Sequence, residues 1–442
     1  MPFDSGRVTF TRFHVVGDAP PQVDDAFLSI LSEARFRETE IGAPDEVEAG
    51  FTTGLHLFDT QFTYEKNGYG SPGQGLAHFA LRLDTHKVPA DVKKAYRVMN
   101  EQAAASASPT GFASKSEKRE ARETANQQVR DELASGKYRK SKIVPVLWDL
   151  AGQTLYCGAS GTTVIEHLAR LMRQSFAVEL ENLSAGVLAG NLIKAQGRSR
   201  DYEDLQPSAF TPPPDASRPG DDDPDGGPAT NRQLPALPWI AKSVDLKDYL
   251  GNEFLMWLWW HGERDKDQPT IDTEAAGPVF VALDKALDMD CAWDLTGKQT
   301  LRGDNPCKLP EAGDALRTGK WPRKAGLILA DDEHQWELTL QADQFVVGSA
   351  ALPEIEGDDA QTPREATERR FQSITRLAEV LDALYQAFLT RRASGPWPHD
   401  REAMKLWIKQ RSAGKAIAPP APPTPPDPVA AAASPAAEAV LN

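Results

Sequence analysis

Between Leu76 and Phe176 two apolar runs bracket a long, charged, helix-period stretch. Leu76–Leu83 and Ile143–Leu150 have the composition of strands, and Val88-Pro89 turns the chain out of the first. Ala90–Lys142 lies between them as a Lys/Arg-rich arm with helical spacing, and Thr162–Phe176 follows as an amphipathic helix with Val164, Leu168, Leu171 and Met172 on one stripe. Ser114 followed by Glu117 reads as a capping box that starts a second helix near Ser114–Leu133.

The arm is also where the charge changes sign. From Lys87 to Lys142 there are thirteen Lys and Arg against seven Asp and Glu, a net +6. The whole chain carries −15, so the remainder carries −21. A chain this acidic repels polyanions over most of its surface, and a local positive excess is where it could still hold one. Lys115, Lys118, Arg119 and Arg122 recur at intervals of three and four and would form one face of a helix. Lys137, Tyr138, Arg139, Lys140 and Lys142 form a dense cluster in which an aromatic could stack or wedge while the cations track phosphates. The bland alternative is a solvated, salt-bridged helix.

Elsewhere the chain reads as α+β. Arg7–Val16 alternates as a strand, Gln22–Arg35 as a helix, and Gly54–Glu65 with Leu76–Leu83 as a strand pair across the glycine-rich 67–75 turn. Leu246–His261 is a strongly apolar helix in which Trp257, Trp259 and Trp260 read as core rather than as a base-stacking platform. Val279–Leu283, Ala325–Leu329, Trp336–Leu340 and Gln344–Val347 read as strands. Arg364–Arg392 is a long helix with Phe371, Ile374, Leu377, Leu381, Leu384 and Phe388 on one face, suited to an internal core or to a seam between subunits. Pro207–Pro238 and Ser412–Asn442 hold 17 of the 34 prolines, so both are expected to be extended or disordered rather than packed. These marks divide the chain into an α+β region at 1–202, a Pro/Asp-rich insertion at 203–238, a second α+β region at 239–411, and a Pro/Ala tail at 412–442.

No catalytic constellation emerges. Gly70–Gly75 lacks the Lys-Ser/Thr of a phosphate loop, and Gly158-Ala-Ser160-Gly161 has the wrong spacing for a nucleophile elbow. The eight histidines show no paired ligand spacing, and Asp288, Asp290 and Asp294 lack the glycine and glutamate of a calcium loop and read as a solvated turn. Three scattered cysteines argue against a disulfide framework or zinc site. The N-terminus does not read as a signal peptide, and the longest apolar cluster, Phe254–Trp260, is too short to span a bilayer. The expectation is a cytoplasmic, non-enzymatic protein without cofactor, metal or membrane partner. An unrecognised metal-dependent nuclease stays open, with slight support from the acidic runs.

In this order the features resemble the recombination-associated protein RdgC family. The resemblance is carried by Phe79–Lys94, the charged helix through Arg130, Tyr138–Lys142, Trp148-Asp149 and Thr162–Phe176. Downstream it is carried by Trp293 through Arg302, Gly319–Leu329, Trp336–Val347 and the long C-terminal helix. Leu250–Trp260 looks like a marker of longer RdgC-like members. The resemblance implies an α+β subunit with mixed or antiparallel sheets and long helices, forming a ring-shaped homodimer. Double-stranded DNA would pass through its positively lined hole with little sequence preference, and the protein would be nucleoid-associated and restrain RecA-dependent recombination, without chemistry or cofactor. It puts an exposed finger near Tyr138-Arg139 and a basic hole-lining loop near Arg302, with Lys320, Arg323 and Lys324 close behind. The chain departs from the family where Gly303-Asp304-Asn305 follow Arg302, and in its insertion and tail. The competing reading is an acidic scaffold that binds protein partners through Phe254–Trp260 and the long helix.

Overall fold

The structure is a computed structural model and describes residues 3–38, 46–70, 75–213, 237–264, 269–353 and 362–412. The first half runs β1 (Val8–Val16), α1 (Asp25–Glu33), β2 (Val47–Thr52), α2 (Tyr64–Asn67), β3 (Gly68–Tyr69), β4 (Leu76–His86), α3 (Ala90–Ala107), α4 (Lys115–Ala134) and β5 (Arg139–Asp149). It continues through β6 (Thr154–Cys157), α5 (Thr162–Phe176), β7 (Glu179–Asn182), α6 (Ala185–Ala195) and α7 (Ser199–Asp204). The second half runs α8 (Tyr249–Arg264), β8 (Thr270–Thr273), β9 (Gly277–Cys291), β10 (Gln299–Gly303), α9 (Pro310–Arg317), β11 (Lys320–Ala330), β12 (Gln335–Gln341) and β13 (Val346–Ala351). Two helices, α10 (Pro363–Arg392) and α11 (Trp397–Ser412), close it.

The fold is α+β. Its strands join in one sheet, in the order β10-β9-β11-β12-β13-β1-β6-β5-β4-β2 with β3, β7 and β8 attached at the side. Every pairing between named strands is antiparallel. β4 and β5 pair without interruption from Leu76↔Asp149 to His86↔Arg139. Alternation puts Phe79, Leu81, Val146 and Trp148 on one face, under α1 and α5, where the Trp148 ring meets Phe27 and Phe176 at 5.9 and 5.2 Å. The other face is covered as well, which is why β4 is buried along nearly its whole length. There Leu76, Leu147 and Tyr156 join the second core, whose helices include α8 and α10.

That second core is built on β9, β11, β12 and β13. α8 lies buried over Tyr249–Trp260, so the tryptophan cluster is a core helix. Gly251 lets it approach closely: a Cβ there would sit 2.0 Å from the Ala342 carbonyl oxygen. On α10 the stripe Phe371, Ile374, Leu377, Leu381, Leu384 and Phe388 is buried within this one chain, which excludes the intersubunit seam for that face. The cores do not divide where the sequence regions do. Ala185, Leu188 and Ile193, all before residue 203, pack in the core of the second half.

β1 joins the halves. Val8 and Phe10 pair with β13, Thr11–His14 with β6, and Phe13–Val16 with β7. Beneath it Arg12, 2% exposed, donates two hydrogen bonds of 2.8 and 2.6 Å to Asp382 of α10. A second buried pair, Arg392 to Glu253 at 2.6 Å, ties α10 to α8, and Glu253 also accepts from the Ser208 backbone N–H at 2.6 Å.

Several expectations need correction. Gly54–Glu65 is not a strand. Gly54 has φ +94°, Asp59 accepts from the Gln61 N–H, and Asn67 donates to the Thr53 and His78 carbonyls, so the segment folds as a pinned loop and β2 forms earlier, at Val47–Thr52. Asp288 and Asp290 sit within β9 rather than in a solvated turn. The ends of the proline-rich insertion do pack. Phe210 and Trp239 lie against Trp321 with ring centroids 5.1 and 5.6 Å apart, and Pro238 opens a short 3-10 turn. Large aromatic area outweighs the lost backbone donors there. The centre of the insertion, the middle of the 67–75 turn and the tail after residue 412 lie outside the described residues. Helices α6, α7, α9 and α11 and strands β7, β8 and β10 were not foreseen.

Removing one partner of the Glu253–Arg392 pair leaves a buried cation uncompensated. Glu253→Ala is expected to cost about 3–5 kcal/mol, read as a lower urea midpoint at unchanged m-value. His78 of β4 is 4% exposed, lies 4.7 Å from the Phe371 ring, and burial pushes its imidazole down to about 4. The unfolded chain takes up this proton first, so stability is complete above about pH 6.5 and falls as pH drops toward 4. The loss attributable to His78 is roughly 3 kcal/mol across that window. The difference between wild type and His78→Leu, followed by denaturant titration at several pH values, isolates it from the carboxylates.

Candidate nucleic-acid interface

The arm is a helical hairpin inserted into the β4–β5 ribbon. Pro89 precedes the first turn of α3, and the Ser114 capping box starts α4: Ser114 N–H donates to Glu117 at 2.7 Å and Glu117 N–H to Ser114 Oγ at 3.3 Å. The helices pack chiefly on each other through Ala121, Ala125 and Val129 of α4. Across the seam Asn100 donates to Gln128 at 3.1 Å and Tyr96 to Glu132 at 2.5 Å. Small residues at the seam bring the helices close and leave the long charged side chains outside. No residue of α3 is fully buried. The tip is the turn at 108–114, where Phe112 is 79% exposed.

Within this frame the expected site residues fall into three groups. Lys115 and Lys118 are exposed near the tip, and Arg119 is braced to Glu123 at 3.1 Å in an exposed pair that contributes little. Arg122 faces α3, 4.0 Å from Glu101. Lys137, Tyr138 and Arg139 stand at the root of the arm, between the end of α4 and the start of β5, and not at its tip. Glu132, at the end of α4, accepts from Lys137, from Tyr96 and from Tyr138 at 2.9 Å. These bonds, led by that from Lys137, hold its carboxyl down to about 2. Tyr138 is half-buried as a result, and Arg139 pairs with Glu38 at 2.9 Å and lies 3.8 Å from Asp84. Lys140 and Lys142 stay exposed on the first residues of β5.

The third group, on β10 and β11, is not brought to the arm. Arg302 lies seven strand steps from β5 in the sheet order and Lys320, Arg323 and Lys324 lie five. Arg302 is paired with Asp288 at 3.0 Å, and Lys320 reaches Gln299 at 3.3 Å. Arg323 is a structural tie, bonded to Asp290 at 3.1 Å and Asp343 at 2.9 Å beneath the Trp239 ring. Lys324 is half-buried. The acidic residues of β9 thus have structural partners, and among the described residues no group of three or more His, Cys, Asp or Glu is arranged to hold a metal ion. Cys157, Cys291 and Cys307 are buried and unlinked. Among the described residues no helix is long and apolar enough to cross a membrane.

Residues not singled out as a site lie on the same hairpin. Lys93, Lys94 and Arg97 of α3, with Arg122 and Asn126 of α4, line a groove of about 580 Å³ whose floor includes Val129. The spacing of Lys93 and Arg97, one turn apart, was visible in the sequence. Their meeting with Arg122 depends on how the hairpin closes.

Glu132→Ala is expected to release Lys137 and Tyr138 from α4 and raise amide hydrogen exchange across residues 137–142 about tenfold. Unchanged exchange would mean that the root is held by the β4–β5 pairing alone. No known protein-family model matches this chain, and no curated protein matches it.

Proposed function

We propose that this chain is a non-catalytic, largely sequence-independent binder of double-stranded DNA, acting as an RdgC-like homodimer that encircles the duplex and modulates RecA-dependent recombination. The observation that carries the reading is the arm itself. A net charge of +6 is concentrated on a hairpin that packs chiefly on its own two helices, in a chain whose remainder is −21. Such a charge distribution attracts a polyanion to one place and keeps it off the rest of the surface. The exposed Phe112 at the tip gives the arm an apolar group of the kind that wedges between base steps. The resemblance in element order from Phe79 to the C-terminal helix supports the ring, the homodimer and the link to recombination, and no step of the reading needs a cofactor. In a two-fold ring, Lys320 and Lys324 would approach DNA from a different side than the arms. Arg302 and Arg323, already paired with aspartates, would contribute less.

The alternative of an acidic scaffold is less well supported. The two surfaces on which it relied, Phe254–Trp260 and the apolar stripe of α10, are buried.

Fluorescence anisotropy of a random-sequence duplex against the full chain, across a salt series, tests the reading. Saturable binding is expected, with log affinity falling with log salt at a slope steeper than about −3. Lys115→Glu with Lys118→Glu should weaken binding about tenfold at low salt and make the slope shallower by about 2. No saturable binding at the lowest salt would overturn the proposal.

A further inference from the structure

The cations of the arm are not equivalent. At the root, Lys137 is spent on Glu132 and Arg139 on Glu38 and Asp84. In the groove between α3 and α4 the balance is reversed. Lys93 and Lys94 have no carboxylate partner among the described residues, and Glu101 is the one acid that reaches the lining, 3.3 Å from Arg97 and 4.0 Å from Arg122. Four cations against one carboxylate leave a net +3 around a concave volume of about 580 Å³. Lys93 and Arg97 are four residues apart, a rise of about 6 Å along α3, so their charges are offset along the groove rather than focused on one point. Asn126 adds a neutral amide donor from the opposite wall, and Val129 gives the floor an apolar patch. Glu101 lies between the two arginines, but both guanidinium groups are more than half exposed and the ion pairs are long, so they contribute little and leave the arginines available to a ligand.

We propose that this groove is an oligophosphate-binding site, taking two or more consecutive phosphates through Lys93, Lys94, Arg97 and Arg122. Arginine supplies forked donors to phosphate oxygens, lysine supplies point charge, and neither needs to leave another partner except Glu101. The chemistry is that of any chain of phosphates. It suits a run of nucleic-acid backbone, which rests on the DNA reading above, and equally a free inorganic oligophosphate. The site differs from the ion-paired Lys137 and Arg139 at the root in that Lys93 and Lys94 have no carboxylate partner among the described residues, and in that its shape is concave. A solvated helix face would have the charge without the enclosure.

The test uses the full chain as wild type, Lys93→Gln/Lys94→Gln, Lys115→Gln/Lys118→Gln, and a charge-matched control, Lys194→Gln/Lys409→Gln, on exposed positions of α6 and α11. Two ligands are titrated, inorganic tripolyphosphate by calorimetry and a random duplex by anisotropy. Circular dichroism and the thermal midpoint check that each variant is folded. The groove predicts that wild type binds tripolyphosphate and that the control and Lys115/Lys118 variants retain it within about twofold. The Lys93/Lys94 variant should lose about tenfold or more for both ligands, as two phosphate contacts would require. If wild type binds DNA but the Lys93/Lys94 variant binds it equally well, the groove is overturned and the DNA reading survives. Tripolyphosphate binding lost in that variant, with no duplex binding by wild type, upholds the groove and removes the DNA reading. Binding of neither ligand removes both.

Discussion

β1 is the constraint on which the rest of the structure depends. One nine-residue strand is hydrogen-bonded to β13 at its start and to β6 and β7 further on, so strands from both halves meet on it. A strand paired on both edges cannot slip by one residue without turning every one of its side chains to the wrong face and breaking its pairing with both halves at once. The Arg12–Asp382 pair fixes this register from below. An arginine that is 2% exposed tolerates its position only while both its hydrogen bonds to Asp382 persist.

α10 spreads the same logic over a length of about 45 Å. Near its start Arg364 donates to the Glu65 and Gly68 carbonyls and Arg370 to the Phe3 carbonyl at 2.7 Å. Its middle supplies Asp382 to β1, and its end supplies Arg392 to Glu253. Between these polar ties the apolar stripe fills the core. The helix therefore carries both the burial that stabilises the second half and the directional bonds that set where the first half docks. The arm is placed by consequence. β4 and β5 are covered on both faces and rigidly paired, so whatever bridges their ends stands outside the core with its charges in solvent.

The electrostatics of the arm show why a count of basic residues misleads. Lys137 and Arg139 belong to the densest positive run in the sequence, yet both are ion-paired, because Glu132, Glu38 and Asp84 converge on the root. Lys93 and Lys94 sit in a less conspicuous stretch and keep their full field. Local density measures how many charges a segment has, and geometry determines how many remain unpaired.

Much of this protein was legible in its residues. The apolar runs at Leu76 and Ile143, the capping box at Ser114, the stripe on Thr162–Phe176 and the core character of the tryptophan helix all follow from local periodicity and capping chemistry, which act within a few residues and survive in any fold that buries them. The excess of positive charge between Lys87 and Lys142 belongs to composition and needs no fold. What the sequence could not decide was every relation between distant residues. The loop at 54–65 looked like a strand until Asn67 pinned it to β4. Phe210 and Trp239, lying in proline-rich stretches, found Trp321 only in three dimensions. The place of the arm's tip at the turn around Phe112, and the meeting of Lys93, Lys94, Arg97 and Arg122 in one groove, depend on how two helices close and which acids reach them. Local pattern sets which elements form. Tertiary packing alone sets which of their charges are left for a ligand, because pairing energies depend on distances that no sequence spacing specifies across a turn.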